Sequence, residues 1–244
     1  MPRPIVTVTT DFGTGSPYVA AMEGVVLAAV PDATLVEVSS AVPAFDIAAG
    51  AFVLWAGTRH FPRGAVHLAV VDPGVGSERH AVAFEAGGSW YVGPDNGLFA
   101  LVATQTTGGV GAVVELARPA GGSATFEGRD VFAPAAGALA VGRPLTSLGE
   151  PLPGHRLLDT IGAGPVVLWV DAFGNLVTNL RQRPTALRIG GVVVSETART
   201  YAEAPPGRPF LYLGSMGFWE LGVSQGRADE VLGVAAGARV ELAV

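Results

Sequence analysis

Apolar residues along the chain come in short runs separated by glycine, proline and acidic residues. Pro4 to Thr10 (PIVTVTT) is β-branched and opened by a proline, which predicts a buried first strand. Pro17 then opens a helix over Tyr18 to Val30, with Ser16 as N-cap and Pro31 as terminator. Thr34 to Val38 reads as a second strand. Asp46 caps a second helix running to His60, whose buried face carries Ile47, Phe52, Val53 and Trp55. Ala65 to Val71 is the third strand. Strand and helix alternating over short connectors predicts an α/β fold with a mainly parallel sheet covered on both faces.

The pattern continues with Ala81 to Phe84 and Ser89 to Val92, a hairpin about Gly87-Gly88. Gly93-Pro94-Asp95-Asn96-Gly97 is a turn signature and is read as structural. Leu98 to Thr104 predicts a short helix and Val110 to Leu116 a strand. Asp130 is expected to cap a helix over Val131 to Val141 and to pair with Arg129 at its positive end, leaving Glu127 just outside and free to face a pocket.

The texture changes after Pro144 to Gly164, a proline- and glycine-rich connector. Short β-like runs follow: Val166 to Val170, Ala186 to Val194, Arg199 to Tyr201, Phe210 to Leu213, Val231 to Val234 and Arg239 to Ala243. Their close spacing suggests a small antiparallel barrel or sandwich. The expected organisation is an N-terminal α/β domain over 1–150, a linker over 151–164 and a C-terminal β-barrel domain over 165–244.

Composition narrows the function classes. Of 244 residues, 49% are hydrophobic and 15% charged, a globular profile. The formal net charge is −6 with no basic cluster, which argues against a nucleic-acid partner. There are no cysteines, which removes thiol nucleophiles, thiolate metal sites and disulfides. No apolar run approaches the ~20 residues of a membrane span, and Met1 to Asp11 lacks the layout of a signal peptide. A cytoplasmic protein acting on a small molecule is expected.

The candidate chemistry lies at strand ends. Val70 to Arg79 (VVDPGVGSER) carries an aspartate past a buried strand, turns through Pro73, Gly74 and Gly76, and delivers an arginine. Open α/β sheets place ligands in this kind of position, and Asp72 with Arg79 could hold one water molecule. Asp11, at the end of the first strand, is either a turn residue satisfying backbone N–H groups or an acceptor for ribose hydroxyls. In the C-terminal half, Asp171-Ala172-Phe173-Gly174-Asn175 packs a carboxylate, an aromatic and an amide into five residues. Leu213-Gly214-Ser215-Met216-Gly217-Phe218 adds a hydroxyl turn.

Six stretches in order, TTDFGTGSPYVAAMEG, VVDPGVGSERHAVAF, VGPDNGLF, TFEGRDVFAPAAG, VDAFGNLVTNL and LGSMGFWELGVSQG, resemble the S-adenosylmethionine (SAM) hydrolases, or SAM hydroxide adenosyltransferases. Bacterial SAM-dependent fluorinases and chlorinases are close relatives of that family. The resemblance implies a Rossmann-like N-terminal domain, a C-terminal β-barrel and a homotrimer with active sites where neighbouring subunits meet. It implies that Asp11 holds ribose hydroxyls, Asp171 the methionine ammonium and Ser215 the methionine carboxylate. Phe173 and Asn175 would line the adenine and ribose pocket, with Phe45 an aromatic beside the nucleoside. Asp72 and Arg79 match two of three side chains that position the attacking water. The third is a histidine in the family pattern, TFHGRD; this chain has Glu127.

The chemistry implied is attack of water or hydroxide at C5′ of SAM, releasing adenosine and L-methionine, with no cofactor and no metal. His60, His67, His80 and His155 are scattered and read as structural. Two acids at the nucleophile position favour water over halide, because unit charges ~4 Å apart repel by several kcal/mol at intermediate dielectric. The alternatives are a SAM- or adenosine-binding protein with little turnover, and a SAM-dependent halogenase.

Overall fold

The computed structural model describes residues 3–155, 157–159, 161 and 164–243, and the chain divides into two compact units, 1–160 and 161–244. The first contains strands β1 (Ile5–Thr10), β2 (Thr34–Ser39), β3 (Val66–Val70), β4 (Ala81–Ala86), β5 (Ser89–Pro94), β6 (Val110–Leu116) and β7 (Gly149–Pro151). Its helices are α1 (Pro17–Ala29), α2 (Ile47–Thr58), α3 (Ala100–Gln105) and α4 (Ala133–Ala140), the last entered through a π-helical turn, Gly128–Phe132.

The strands form one sheet in the order β2-β1-β3-β5-β4-β6-β7. β1 pairs in parallel with β2 and β3, and β3 with β5, whereas β4 pairs antiparallel with β5 and β6, and β6 with β7. The sheet is therefore mixed, not mainly parallel. The reason is the β4–β5 hairpin: its two-glycine connection, with Gly87 at φ 62° and Gly88 at φ 84°, can join only antiparallel neighbours.

Two helix starts follow the local chemistry. Ser16 accepts a hydrogen bond from the Tyr18 amide and Asp46 one from the Ala49 amide. The chain leaves β1 toward β2 on one side and returns to β3 on the other, so the connections part between β1 and β3. Val70 is paired with Thr10, so Asp11 and Asp72 follow adjacent strand ends at that parting. The main core lies between the sheet and α1 with α4, around Val8, Met22, Leu68, Phe132 and Leu139. Asp95, buried in its turn, accepts from the Leu158 amide at 2.9 Å and lies 2.6 Å from His155 Nε2, fastening the segment after β7.

Asp130 does not cap a helix. The helical path begins earlier, because the Phe126 carbonyl already accepts from the Arg129 and Asp130 amides. Glu127 is consequently the N-cap of the π-helical turn, not a residue beyond it. Asp130 instead accepts from the Ser123 amide at 2.8 Å and pairs with Arg129 at 2.6 Å.

The second unit contains β8 (Val167–Val170), β9 (Leu176–Thr178), β10 (Ala186–Ile189), β11 (Val192–Val194), β12 (Pro209–Leu213), β13 (Trp219–Val223), α5 (Ala228–Leu232) and β14 (Glu241–Ala243). They build two antiparallel sheets, β12-β13-β9-β8 and β11-β10-β14, around a core that includes Leu176, Leu187, Leu211 and Leu221. The run 186–194 is a hairpin, not one strand, because Gly190 and Gly191 both adopt positive φ. Val231 to Val234 is not a strand: α5 carries Asp229 and Glu230 in its first turn and stops on left-handed Gly233. Residues 199–201 form no strand and lead into a turn.

Candidate active site

The loop after β3 is shaped by two close approaches. Gly76 has φ 79°, and a Cβ there would lie 2.7 Å from the Ala124 carbonyl oxygen, so the loop backbone lies directly against the segment leading to Glu127. At Gly128 a Cβ would come within 2.8 Å of Met22 Sδ, which lets the turn carrying Glu127 seat on α1.

These approaches bring Asp72, Arg79 and Glu127 together. Arg79 Nε donates to Asp72 Oδ1 at 3.0 Å, and Arg79 Nη2 donates to both Asp72 Oδ2 and Glu127 Oε2. All three side chains are buried, and the Arg79 guanidinium lies 5.3 Å from the centroid of the Phe132 ring. Burial pushes the Glu127 carboxyl up, but hydrogen bonds from Arg118 and Arg79 outweigh it and hold Glu127 below the usual carboxylate range. For Arg79 burial acts downward, and its two carboxylate partners win, raising it further. The corner is thus two carboxylates sharing one arginine. Arg79 Nη1 is buried and has no hydrogen-bond partner among the described residues.

Arg118, absent from the sequence-based candidates, donates through Nε to Glu127 Oε1 at 2.7 Å and through Nη2 to the Arg79 carbonyl at 2.9 Å. It follows β6, and Glu127 lies nine residues later, so no local spacing links them. A cavity of about 390 Å³ opens here, lined by Gly76, Ser77, Glu115, Arg118, Ser123 and Glu127.

Asp11 Oδ2 accepts the Phe45 amide at 2.8 Å, so it does satisfy a backbone N–H as a turn residue would. Phe45 has φ 67° and is 71% exposed. Asp11 and Phe45 are therefore one local assembly.

In the second unit, Asp171 organises its own turn. Its Oδ1 accepts the Phe173 and Asn175 amides at 2.8 and 2.9 Å, and its Oδ2 accepts Asn175 Nδ2 at 2.8 Å. Phe173 is left 76% exposed while Asn175 is buried. Phe173 and Asn175 line a cavity of about 500 Å³ with Tyr201, Val223 and Ser224. Ser215 is exposed in a separate turn between β12 and β13, closed by the Gly217 amide donating to the Gly214 carbonyl at 2.9 Å.

A polar chain running inward from Tyr201 has no counterpart in the sequence-based candidates either. Tyr201 Oη donates to Tyr212 Oη at 2.9 Å, and Tyr212 Oη to Glu220 Oε2 at 2.5 Å. Burial raises the Glu220 carboxyl above its ordinary range, only partly offset by the Tyr212 hydrogen bond. Tyr212 and Glu220 are cross-strand partners of β12 and β13, whereas Tyr201 comes from a turn outside any strand, and no local spacing ties it to them. Among the described residues, no group of three His, Asp or Glu side chains is placed to hold a metal ion. No helix there is long and apolar enough to cross a membrane.

The SAM hydroxide adenosyltransferase N-terminal domain matches residues 6–149, and the C-terminal domain of the same family matches residues 166–241. An (R)-S-adenosyl-L-methionine hydrolase of Thermus thermophilus is 42% identical over 250 residues, covering 96% of this chain and 97% of the relative. A protein of the same name from Salinispora arenicola is 41% identical over 252 residues, covering 96% and 95%. A crystal structure of a conserved hypothetical protein from Thermus thermophilus superimposes with a TM-score of 0.83 at 41% identity, covering 99% of this chain and 100% of that one. With both domains matched in order over most of its length, the chain belongs to the SAM hydroxide adenosyltransferase family.

Proposed function

We propose that this protein hydrolyses SAM to adenosine and L-methionine. The oxygen of a water or hydroxide forms a bond to C5′ as the C5′–S bond breaks. The electron pair goes to sulfur, which loses its positive charge, and the water proton passes to a carboxylate and on to solvent. The leaving group is a neutral thioether, so it needs neither an acid nor a metal to depart. The protein's task is to hold the oxygen ~3–3.5 Å from carbon and in line.

The observation that carries this reading is the buried corner in which Arg79 Nη2 donates to both Asp72 and Glu127 while Arg79 Nη1, beside it on the same guanidinium, is unpartnered. A water bound in this corner can accept from the guanidinium and give a hydrogen to a carboxylate. A halide could take the donor but has no hydrogen to give, so it would leave the carboxylates of the corner without a hydrogen bond from it. In this reading Asp72 takes the proton and Arg79 fixes the oxygen. Asp11 accepts a ribose hydroxyl through the oxygen not engaged by Phe45, while Phe45 and Phe173 flank the nucleoside. Asn175 completes the adenine and ribose pocket, Asp171 pairs with the methionine ammonium and Ser215 contacts its carboxylate. The same reading gives the first unit a Rossmann-like role, the second a barrel-like one, and the assembly a cytoplasmic homotrimer with sites at subunit interfaces.

The test is incubation of purified protein with SAM in water enriched in oxygen-18. Adenosine carrying the label at its 5′-hydroxyl, together with methionine, is the expected result. Unlabelled adenosine, a 5′-halo product, or SAM recovered intact refutes it. Light scattering that gives one or two chains per particle removes the trimer.

A further inference from the structure

Glu127 is bonded on both carboxylate oxygens: Arg79 takes Oε2 and Arg118 takes Oε1. The second contact is unusual in its reach. One guanidinium spans from Glu127, through Nε, to the backbone carbonyl of Arg79, through Nη2. Arg118 therefore fixes the acid and the peptide unit of the arginine that shares the acid. Without it, Arg79 alone would have to neutralise both Asp72 and Glu127 inside a buried corner. Other charged groups around Glu127 are less well placed. Glu115 lies 3.6 Å from Arg118 Nη1 and 3.1 Å from His80 Nδ1, and is about one-third exposed. Asp130 is occupied by Arg129.

We propose that Arg118 is a positioning residue for the reaction: by gripping Glu127 and the Arg79 backbone together, it keeps Glu127 an ionised acceptor and sets the direction of the Arg79 guanidinium. This rests on the hydrolase reading. Arg118 itself is 38% exposed in its side chain and holds the corner from outside. Its planar fork suits this double grip, whereas a lysine can supply the charge from one point only.

The experiment is a double-mutant cycle of Arg118→Gln with Glu127→Gln, with Arg118→Lys as the conservative variant. Arg118→Gln is expected to lower kcat about 10-fold with KM within about twofold, as a misdirected nucleophile site does. Its acidic limb should move to higher pH, because Glu127 loses a hydrogen bond that favours its charged form. In the Glu127→Gln background the same change should alter kcat less than about twofold, and Arg118→Lys should recover part of the loss. Equal losses in both backgrounds, or none in either, overturn the proposal. Carbon-13 titration of the Glu127 carboxyl, which needs no turnover, should show a higher midpoint in Arg118→Gln. An unchanged midpoint overturns the proposal, and an inactive wild type refutes the hydrolase reading while leaving this measurement decisive.

Discussion

Replacing Arg79 with glutamine removes the positive charge shared by Asp72 and Glu127. Both carboxylates bond the same Nη2, so their nearest oxygens are within about 5–6 Å of each other by hydrogen-bond reach. Two like charges ~5 Å apart at an effective dielectric of ~20 repel by about 3 kcal/mol. Arg118 remains on Glu127, which places the cost toward the low end of the ~3–5 kcal/mol typical of a broken buried pair. In the variant a carboxyl is held above its unfolded value, so the folded state binds the extra proton and stability falls as pH rises. In the wild type Glu127 is held below its unfolded value, so its contribution is present above the ordinary carboxylate range and is lost as pH falls through its folded value. The penalty is therefore largest at neutral pH, and the two stability curves converge in acid. Urea unfolding at neutral and mildly acidic pH measures this directly. Adding Asp72→Asn should restore most of the stability at neutral pH but none of the hydrolysis. A variant as stable as wild type at neutral pH, or a penalty that grows in acid, would refute the reasoning.

Asp72→Asn alone keeps the shape and removes the proposed proton acceptor; kcat should fall by about 10²–10⁴ with little change in KM, read by adenosine release. Phe173→Ala removes an exposed ring, so the melting temperature should hardly move, while loss of stacking worth about 1–3 kcal/mol raises KM for SAM by roughly 5- to 150-fold. Gly128→Ala inserts a methyl 2.8 Å from Met22 Sδ. Overpacking costs about 1–3 kcal/mol, the flexible thioether favours the low end, and urea unfolding should show it together with reduced turnover from a displaced Glu127.

What the sequence discloses and what it hides follow from range. Ser16 and Asp46 are legible as caps because the groups they satisfy lie two and three residues on. The two-glycine turns at 87–88 and 190–191 carry their own φ requirement, although the second is masked by the apolar run around it. Val231 to Val234 resembles a strand in its β-branched residues, yet Asp229, Glu230 and Gly233 mark the start and stop of a helix. The acidic corner is a matter of family resemblance: Asp72 and Glu127 are too far apart in sequence for any periodicity to join them. Arg118 has no motif at all, and only the fold places it on Glu127. The Gly87-Gly88 hairpin already makes β4 and β5 antiparallel; the antiparallel pairing of β4 with β6 and of β6 with β7 is the part with no local signal.

Phe45 carries one more consequence. A side chain with a Cβ at φ 67° costs roughly 1–2 kcal/mol relative to ordinary backbone, and its ring gains almost nothing from burial in return. The Asp11 carboxylate latches this tense peptide in place. A glycine here would relax the backbone and leave a sturdier fold without the exposed ring, so thermal selection should favour a loss that the proposed nucleoside contact opposes.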